Sequence, residues 1–219
     1  MKKILITGAN RGIGLELSRQ LADRGDEVIA VCRTSSKQLN DLNLRVIEGI
    51  DVNDDDSLKG LRARTGDGGL DWLINNAGIL SVESLDSLDF KAMERQFRVN
   101  ALGPLRVTRA LLPVLGEGSK VGIITSRMGS IEDNTSGGYY GYRMSKAAVN
   151  MAGMSLARDL SERRIAVALL HPGMVATDMT GGRGIQPSQS ASGLIARMDA
   201  LDMTDTGSFW HAEGERLPW

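Results

Sequence analysis

The stretch Thr7-Gly8-Ala9-Asn10-Arg11-Gly12-Ile13-Gly14 decides the reading of this chain. It follows a short apolar run, Ile4-Leu5-Ile6, and opens the segment Gly12 to Arg24, where Ile13, Leu17 and Leu21 recur at four-residue steps. That recurrence marks one face of a helix. A strand that turns through glycines into a helix leaves the N–H groups of the first helical turn without partners. Such a helix start attracts phosphate, and glycines at 8, 12 and 14 let the backbone come close to the ligand. The alternative is a glycine-rich turn with no ligand. The strand before and the helix after favour the nucleotide site.

Outward from this turn, short apolar runs alternate with helical periodicity. Strands are expected at Ile4–Ile6, Val28–Val31, Arg45–Ile50, Asp71–Ile74, Val121–Thr125, Ile165–Leu170 and Gly207–His211. Helices are expected over 12–24, 54–64, 85–115, 141–163 and 188–201. Nearly all-apolar strands between helices predict a parallel sheet covered on both faces, with right-handed crossovers. The expected fold is α/β, a Rossmann-like doubly wound parallel sheet of about seven strands in a single domain, 1–219. Its cofactor half covers about 1–125 and its catalytic and substrate half about 126–219.

Composition narrows the function classes. Of 219 residues, 42% are hydrophobic and 24% charged, which suits a globular chain. Twenty-six basic residues against 27 acidic ones leave a net charge of −1, so neither nucleic acid nor an anionic membrane is an expected partner. One cysteine excludes an intrachain disulfide framework, and with two isolated histidines it makes no metal site. A single cysteine fits a reducing compartment, and Ile4–Ile6 is too short for a signal peptide, so a cytoplasmic location is expected.

The cofactor follows from what succeeds the second strand. An NAD site carries an acidic residue there for the ribose 2′-hydroxyl. Here the place holds Cys32, Arg33 and Thr34. A guanidinium fork suits a 2′-phosphate, and Arg11 adds a second positive charge, so NADP(H) is the expected cofactor. Two solvated surface arginines are the alternative.

All three tyrosines lie at 139, 140 and 142. Proton chemistry needs a phenol and a cation on one helix face, an i, i+4 spacing. Only Tyr142 has a lysine there, Lys146, whose ammonium is expected to lower the phenol's pKa. Ser126, at the end of the fifth strand, can hydrogen-bond a substrate carbonyl. Asn100 sits mid-helix, where asparagine is disfavoured, so a buried polar role is expected.

The G-x-x-x-G-x-G spacing of Gly8, Gly12 and Gly14, the run Asn75-Asn76-Ala77-Gly78, Ser126, Tyr142-x-x-x-Lys146 and His171-Pro172-Gly173 together resemble the short-chain dehydrogenase/reductase family. The longer loop Gly129–Gly138 and the ending Gly207 to Trp219 are similar to sniffer-type carbonyl reductases and bacterial C-signal proteins. The resemblance implies a catalytic tetrad of Asn100, Ser126, Tyr142 and Lys146. In it Tyr142 passes the proton, Ser126 polarises the carbonyl, Lys146 also holds the nicotinamide ribose, and Asn100 positions a water. It places Asn10 and Ile13 with the glycines at the cofactor, Asp51 and Val52 at the adenine, and Asn76, Ala77 and Gly78 beside the ribose. Asn75 is then structural. Pro172, Gly173, Val175 and Thr177 fall near the nicotinamide, with Thr177 at its carboxamide. Asp51 alone could equally cap a helix. His171 reads as a packed or capping residue, because tyrosine and lysine already supply the proton chemistry.

The expected reaction is hydride transfer between nicotinamide and a carbonyl or alcohol carbon of a small molecule. The rival reading is a C-signal-like dinucleotide-binding signalling or interaction protein. Asp178 to Gly184 is glycine-rich and reads as a brief, mobile substrate lid. Met174, Met179 and Tyr140 are candidate apolar liners of the substrate pocket, and core filling is the commoner use of methionine. The face Ala147, Met151, Met154 and Arg158 suits either a two-fold homodimer or homotetramer contact or burial on the sheet.

Overall fold

The structure is a computed structural model that describes every residue from Met1 to Trp219. Its strands are β1 Lys3–Thr7, β2 Glu27–Val31, β3 Arg45–Ile47, β4 Leu70–Asn75, β5 Leu115–Ile124, β6 Ala166–His171 and β7 Ser208–His211. They form one parallel sheet in the order β3-β2-β1-β4-β5-β6-β7. Side chains alternate across a strand, so β1 feeds two cores. Leu5 joins a 21-residue cluster on one face, while Ile4 and Ile6 join a 20-residue cluster on the other. Each fully buried aliphatic side chain contributes roughly 1.5–3 kcal/mol, and the central strands β1, β4 and β6 are buried along nearly their whole length.

Helices α1 Gly12–Asp23 and α8 Pro187–Ala200 cover one face through Leu17, Leu21, Leu194 and Met198. Helices α6 Gly103–Leu111 and α7 Tyr140–Asp159 cover the other through Val107, Leu111, Val149 and Ala157. The chain leaves β1 towards β2 and β3 and then returns to β4 on the opposite side of β1. That reversal opens a crevice at the carboxyl ends of β1 and β4.

Several element boundaries differ from the sequence-based expectation. The helix expected over 85–115 begins only at α5 Phe90–Phe97, because Asp89 caps it by accepting from Ala92 N at 3.0 Å. It continues through a π-turn, Arg98–Leu102, into α6, and Leu115 already belongs to β5. The helix expected over 54–64 splits into α3 Asp55–Leu58 and α4 Leu61–Arg64 at Gly60, whose φ of +80° no α-helix accommodates. The third strand stops at Ile47, before Gly49 turns the chain at φ +80°. A short helix, α2 Lys37–Asn40, spans too few residues to leave a period in the sequence; Ser36 caps it.

At the amino ends of the strands the sheet is sealed. Trp72 is buried there, with Lys2 Nζ 4.5 Å and the Arg24 guanidinium 5.2 Å from its ring centroid. Asp199 pairs with both cations at 2.7 Å, and Asp26 pairs with Arg24 at 2.6 Å.

Candidate active site

The glycine turn meets the end of β4 at very close range. A Cβ on Gly8, at φ +67°, would lie 2.9 Å from Ala77 Cα, and one on Gly14 would lie 2.2 Å from Gly8 O. Larger residues at either place would push the strand ends apart. Asn76 holds the contact: its Nδ2 donates to Thr7 O at 3.0 Å and Gly8 O at 3.1 Å. Thr7 Oγ1 accepts from Asn76 N and Ala77 N, both at 3.1 Å. Helix α1 starts with no side-chain cap and no acidic residue in its first turn. Its dipole and N–H groups are therefore left for an outside anion.

Above this turn lies a cleft of about 730 Å³. Gly8, Asn10, Arg11, Gly12 and Ile13 border it from the glycine loop, and Arg33 from the end of β2. Asp51 and Val52 come from beyond β3, Asn76, Ala77 and Gly78 from beyond β4, and Tyr142, Lys146, Pro172 and Thr177 from the second half of the chain. Gly14 is packed beneath Gly8, and Val175 is buried at the neck of the following loop. Gly173, at φ +83°, turns the chain after Pro172 and lies outside the cleft lining.

Asp51 Oδ1 accepts from Asn53 N at 2.9 Å, and Asp54 caps α3, so the capping alternative for Asp51 fails. Arg33 is exposed and has no acidic partner, whereas Arg11 Nη1 lies 3.1 Å from Asp178 Oδ2. The glycine cradle, the uncapped helix start and the unpaired cation fit a dinucleotide with an added phosphate.

Tyr142 and Lys146 stand one turn apart on α7, with Lys146 Nζ 5.6 Å from the phenol ring centroid. Both are buried, at 8% and 5% exposure. Lys146 Nζ donates to Ile124 O at 2.9 Å. Burial pushes the Tyr142 phenol up to about 12, against the opposing hydrogen bond from Ser126. Burial likewise pushes Lys146 down to about 8. The expected lowering of the tyrosine by lysine is thus reversed. Desolvation penalises the phenolate and also drives the neighbouring ammonium towards neutrality.

Ser126 ends β5's extension, 6% exposed, and its Oγ also accepts from Met128 N at 3.1 Å. Asn100 lies in the π-turn, a distortion frequent at functional sites. Its Oδ1 accepts from Ile79 N at 2.9 Å, and its Nδ2 donates to Ile79 O at 2.8 Å and to Ser145 Oγ at 3.0 Å. A Cβ on Gly78 would sit 3.4 Å from Asn100 Oδ1 and 3.8 Å from Lys146 Nζ. The β4 end, the π-turn and α7 therefore converge on one point.

Of the three suggested apolar liners, Met179 borders the cleft and the other two do not. Tyr140 precedes Tyr142 by two residues, so the two point to different faces of α7. Met174 follows the Gly173 turn and is 59% exposed. Asn75 Nδ2 donates to Thr108 Oγ1 at 3.2 Å, a structural bond. His171 packs edge-on against His211 at 5.0 Å, and burial lowers its pKa to about 3, so it is a neutral packed residue.

Sequence reasoning passed over Glu83, which is only 3% exposed. Its carboxylate accepts from Gln96 Nε2 at 2.8 Å, Ser81 Oγ at 2.6 Å and Gly141 N at 3.2 Å. It ties Gln96 of α5 to the first turn of α7, at Gly141 directly before Tyr142, and its negative charge suits that helix start. No spacing motif marks it, since its partners on α5 and α7 lie 13 and 58 residues away. Ser145 is the second such residue, linking Asn100 to Tyr142 O at 2.8 Å.

Comparison with known proteins bears on the family and the fold. The family model described as short chain dehydrogenase matches residues 2–187. The chain is 46% identical, over the whole of both chains, to 1-hydroxy-2-glutathionyl-2-methyl-3-butene dehydrogenase of Rhodococcus sp. (strain AD45). It is 46% identical to the C-signal protein of Myxococcus xanthus over 69% of this chain and 94% of that protein. It superposes on the carbonyl reductase Sniffer of D. melanogaster with a TM-score of 0.93 and 33% identity, covering 100% of both chains. The NADPH-bound carbonyl reductase from chicken fatty liver gives 0.92 and 31%, covering 100% of this chain and 99% of that one.

Proposed function

The chain belongs to the short-chain dehydrogenase family, and on that premise we propose that it is an NADP(H)-dependent oxidoreductase acting on a small carbonyl or alcohol. One observation carries the reading: the Tyr142–Lys146 pair borders the same cleft as the glycine cradle and the unpaired Arg33. The NADPH in the chicken carbonyl reductase supports the choice of cofactor. Gly8, Gly12, Gly14, Asn10, Ile13 and the start of α1 would hold the pyrophosphate. Arg11 and Arg33 would hold the 2′-phosphate, Asp51 and Val52 the adenine, and Asn76 to Gly78 the ribose. Lys146, Pro172 and Thr177 would surround the nicotinamide end, with Gly173 and Val175 shaping the loop behind them rather than lining the cleft. The division into a cofactor half ending near residue 125 and a catalytic half follows from these roles.

When bound, the reduced nicotinamide supplies a hydride to the carbonyl carbon. Tyr142 gives its phenolic proton to the carbonyl oxygen, completing the alcohol. A phenol held near pKa 12 is protonated throughout the neutral range, which is the form a donor needs. Ser126 hydrogen-bonds the same oxygen and draws charge onto it. Lys146, while charged, stabilises the phenolate left behind. Asn100, bonded to both sides of Ile79, would position a water beside Lys146 that returns the proton.

Tyr142→Phe tests this. Turnover should fall by about 10³-fold, within the range for a general acid, while cofactor binding stays within about twofold. Unchanged turnover sinks the assignment.

The C-signal relative favours a second reading, a signalling protein that binds a dinucleotide. A biological effect that survives Tyr142→Phe undiminished would select it. No helix is long and apolar enough to cross a membrane, and the single cysteine, Cys32, is buried. A homodimer or homotetramer is supported by an apolar groove of about 450 Å³ at Phe90, Phe97 and Met144, exposed by 66%, 42% and 57%. Of the face first expected, Met151 is exposed, but Met154 packs towards Gly207. A monomeric mass by light scattering would exclude the oligomer.

A further inference from the structure

We propose that Asp178 is a specificity-determining residue for the cofactor: it holds Arg11 in the free protein, and a dinucleotide bearing a 2′-phosphate takes Arg11 from it. The proposal rests on the NADP(H) reading above. Arg11 is the residue before α1, extended at φ −161°. Its Nη1 lies 3.1 Å from Asp178 Oδ2, and neither side chain has another hydrogen-bonding partner. Both residues border the cleft. Asp178 opens a 3-10 turn, Asp178–Thr180, at the start of the lid. The pair therefore ties the phosphate wall of the cleft to the lid.

A second contact lies alongside, since a Cβ on Gly12 would stand 3.2 Å from Thr177 Cγ2. The lid's neck is fixed. Ala176 N donates to Ile185 O at 2.9 Å, and Ile185 N donates to Met174 O at 2.8 Å. A Cβ on Gly184 would come within 2.0 Å of Met174 O, so that glycine belongs to the packed neck rather than to a hinge. Gly181 and Gly182, with nothing within 4 Å, leave the tip beyond Asp178 open.

The two charges are 61% and 83% exposed. Pairs this exposed contribute little, so the partner of Arg11 can be exchanged on binding. A phosphate dianion brings more charge and one more acceptor oxygen than a carboxylate to the same guanidinium. Arg33, with no acid beside it, is available at once, whereas Arg11 must first leave Asp178. A cofactor without the 2′-phosphate leaves the pair standing. Asp178 thereby weakens phosphate binding at Arg11 and does little to a cofactor that never engages it.

The experiment is a fluorescence titration of the whole protein with NADPH and with NADH. Asp178→Asn keeps the side chain's shape, and the carboxylate holds no backbone N–H, so the loop loses no internal bond. The Kd for NADPH should fall about three- to fivefold and that for NADH by less than twofold. The gain should vanish in an Arg11→Ala background. Equal changes for the two cofactors, weaker NADPH binding, or a gain that persists without Arg11 would overturn the proposal. If Arg11→Ala and Arg33→Ala both leave the NADPH-to-NADH ratio unchanged, the NADP(H) reading fails and this proposal with it. A ratio that responds to Arg33→Ala but not to Asp178→Asn overturns the role of Asp178 alone.

Discussion

The two ends of one parallel sheet have opposite chemistry. At the amino ends, Lys2 and Arg24 lie over Trp72, and Asp26 and Asp199 sit within 2.8 Å of them. At the carboxyl ends, Tyr142 and Lys146 are buried without an acidic partner, and Arg33 faces the cleft unpaired. The central strands β1, β4 and β6 are themselves alike, apolar and buried on both faces. What differs is the connections: the carboxyl ends carry the turns that approach a ligand, while the amino ends only return the chain. Paired charges stabilise a surface, and unpaired ones remain available to a substrate.

Loss of Lys146 should break that contrast most severely. Lys146→Met should lower kcat/KM by about 10²-fold or more, as expected for a group that acts in the transition state. In the unaltered protein, the rate of carbonyl reduction should fall as pH rises through about 8, where the ammonium is lost. Tyr142, held near 12, does not set that limb. Stability should move the other way. With a folded pKa of about 8 against an unfolded 10.5, the folded protein binds fewer protons between these values. Unfolding free energy therefore rises with pH across that window. Thermal melts of Lys146→Met should show a shallower rise, with Lys120, whose pKa burial also lowers, supplying the remainder. An identical slope in the variant would contradict the burial account.

Arg33→Ala should act more narrowly. Losing one charge-assisted contact to a phosphate should weaken NADPH about tenfold and leave NADH within twofold. Equal loss for both would show that Arg33 merely shapes the loop.

The smallest effect is expected at the sealed end. Asp199→Asn removes two ion pairs, yet exposed pairs contribute only about 0–1 kcal/mol each. Together that is at most about 2 kcal/mol, so the melting temperature should drop by no more than roughly 4–8 °C, with kcat unchanged. A fall in kcat would mean that the two ends are coupled.

The sheet was legible because β1, β2, β4, β6 and the second half of β5 are short apolar runs between helical periods, whereas the first half of β5, with exposed Gly116, Glu117 and Gly118, carries no such mark. Gly8, Gly12 and Gly14 were legible because a strand, a turn and a helix fall in fixed order around them. Tyr142 and Lys146 were legible because i, i+4 spacing is a property of sequence. The break at Gly60 and the start of α5 at Phe90 were not, since a single positive φ or a capping aspartate leaves no periodic mark. Glu83 was hidden for a different reason: its bonds to Gln96 and Gly141 exist only after α5 and α7 have packed. The raised phenol pKa was missed because charge spacing can be read along a helix, whereas burial depends on the whole fold.

The most direct test of the central claim is the rate at which the protein consumes NADPH, and separately NADH, against a panel of aldehydes, ketones and quinones. The expected result is carbonyl-dependent oxidation with kcat/KM for NADPH at least about tenfold above that for NADH, lost in Tyr142→Phe. Neither cofactor being consumed with any carbonyl, or consumption unaffected by Tyr142→Phe, would contradict it.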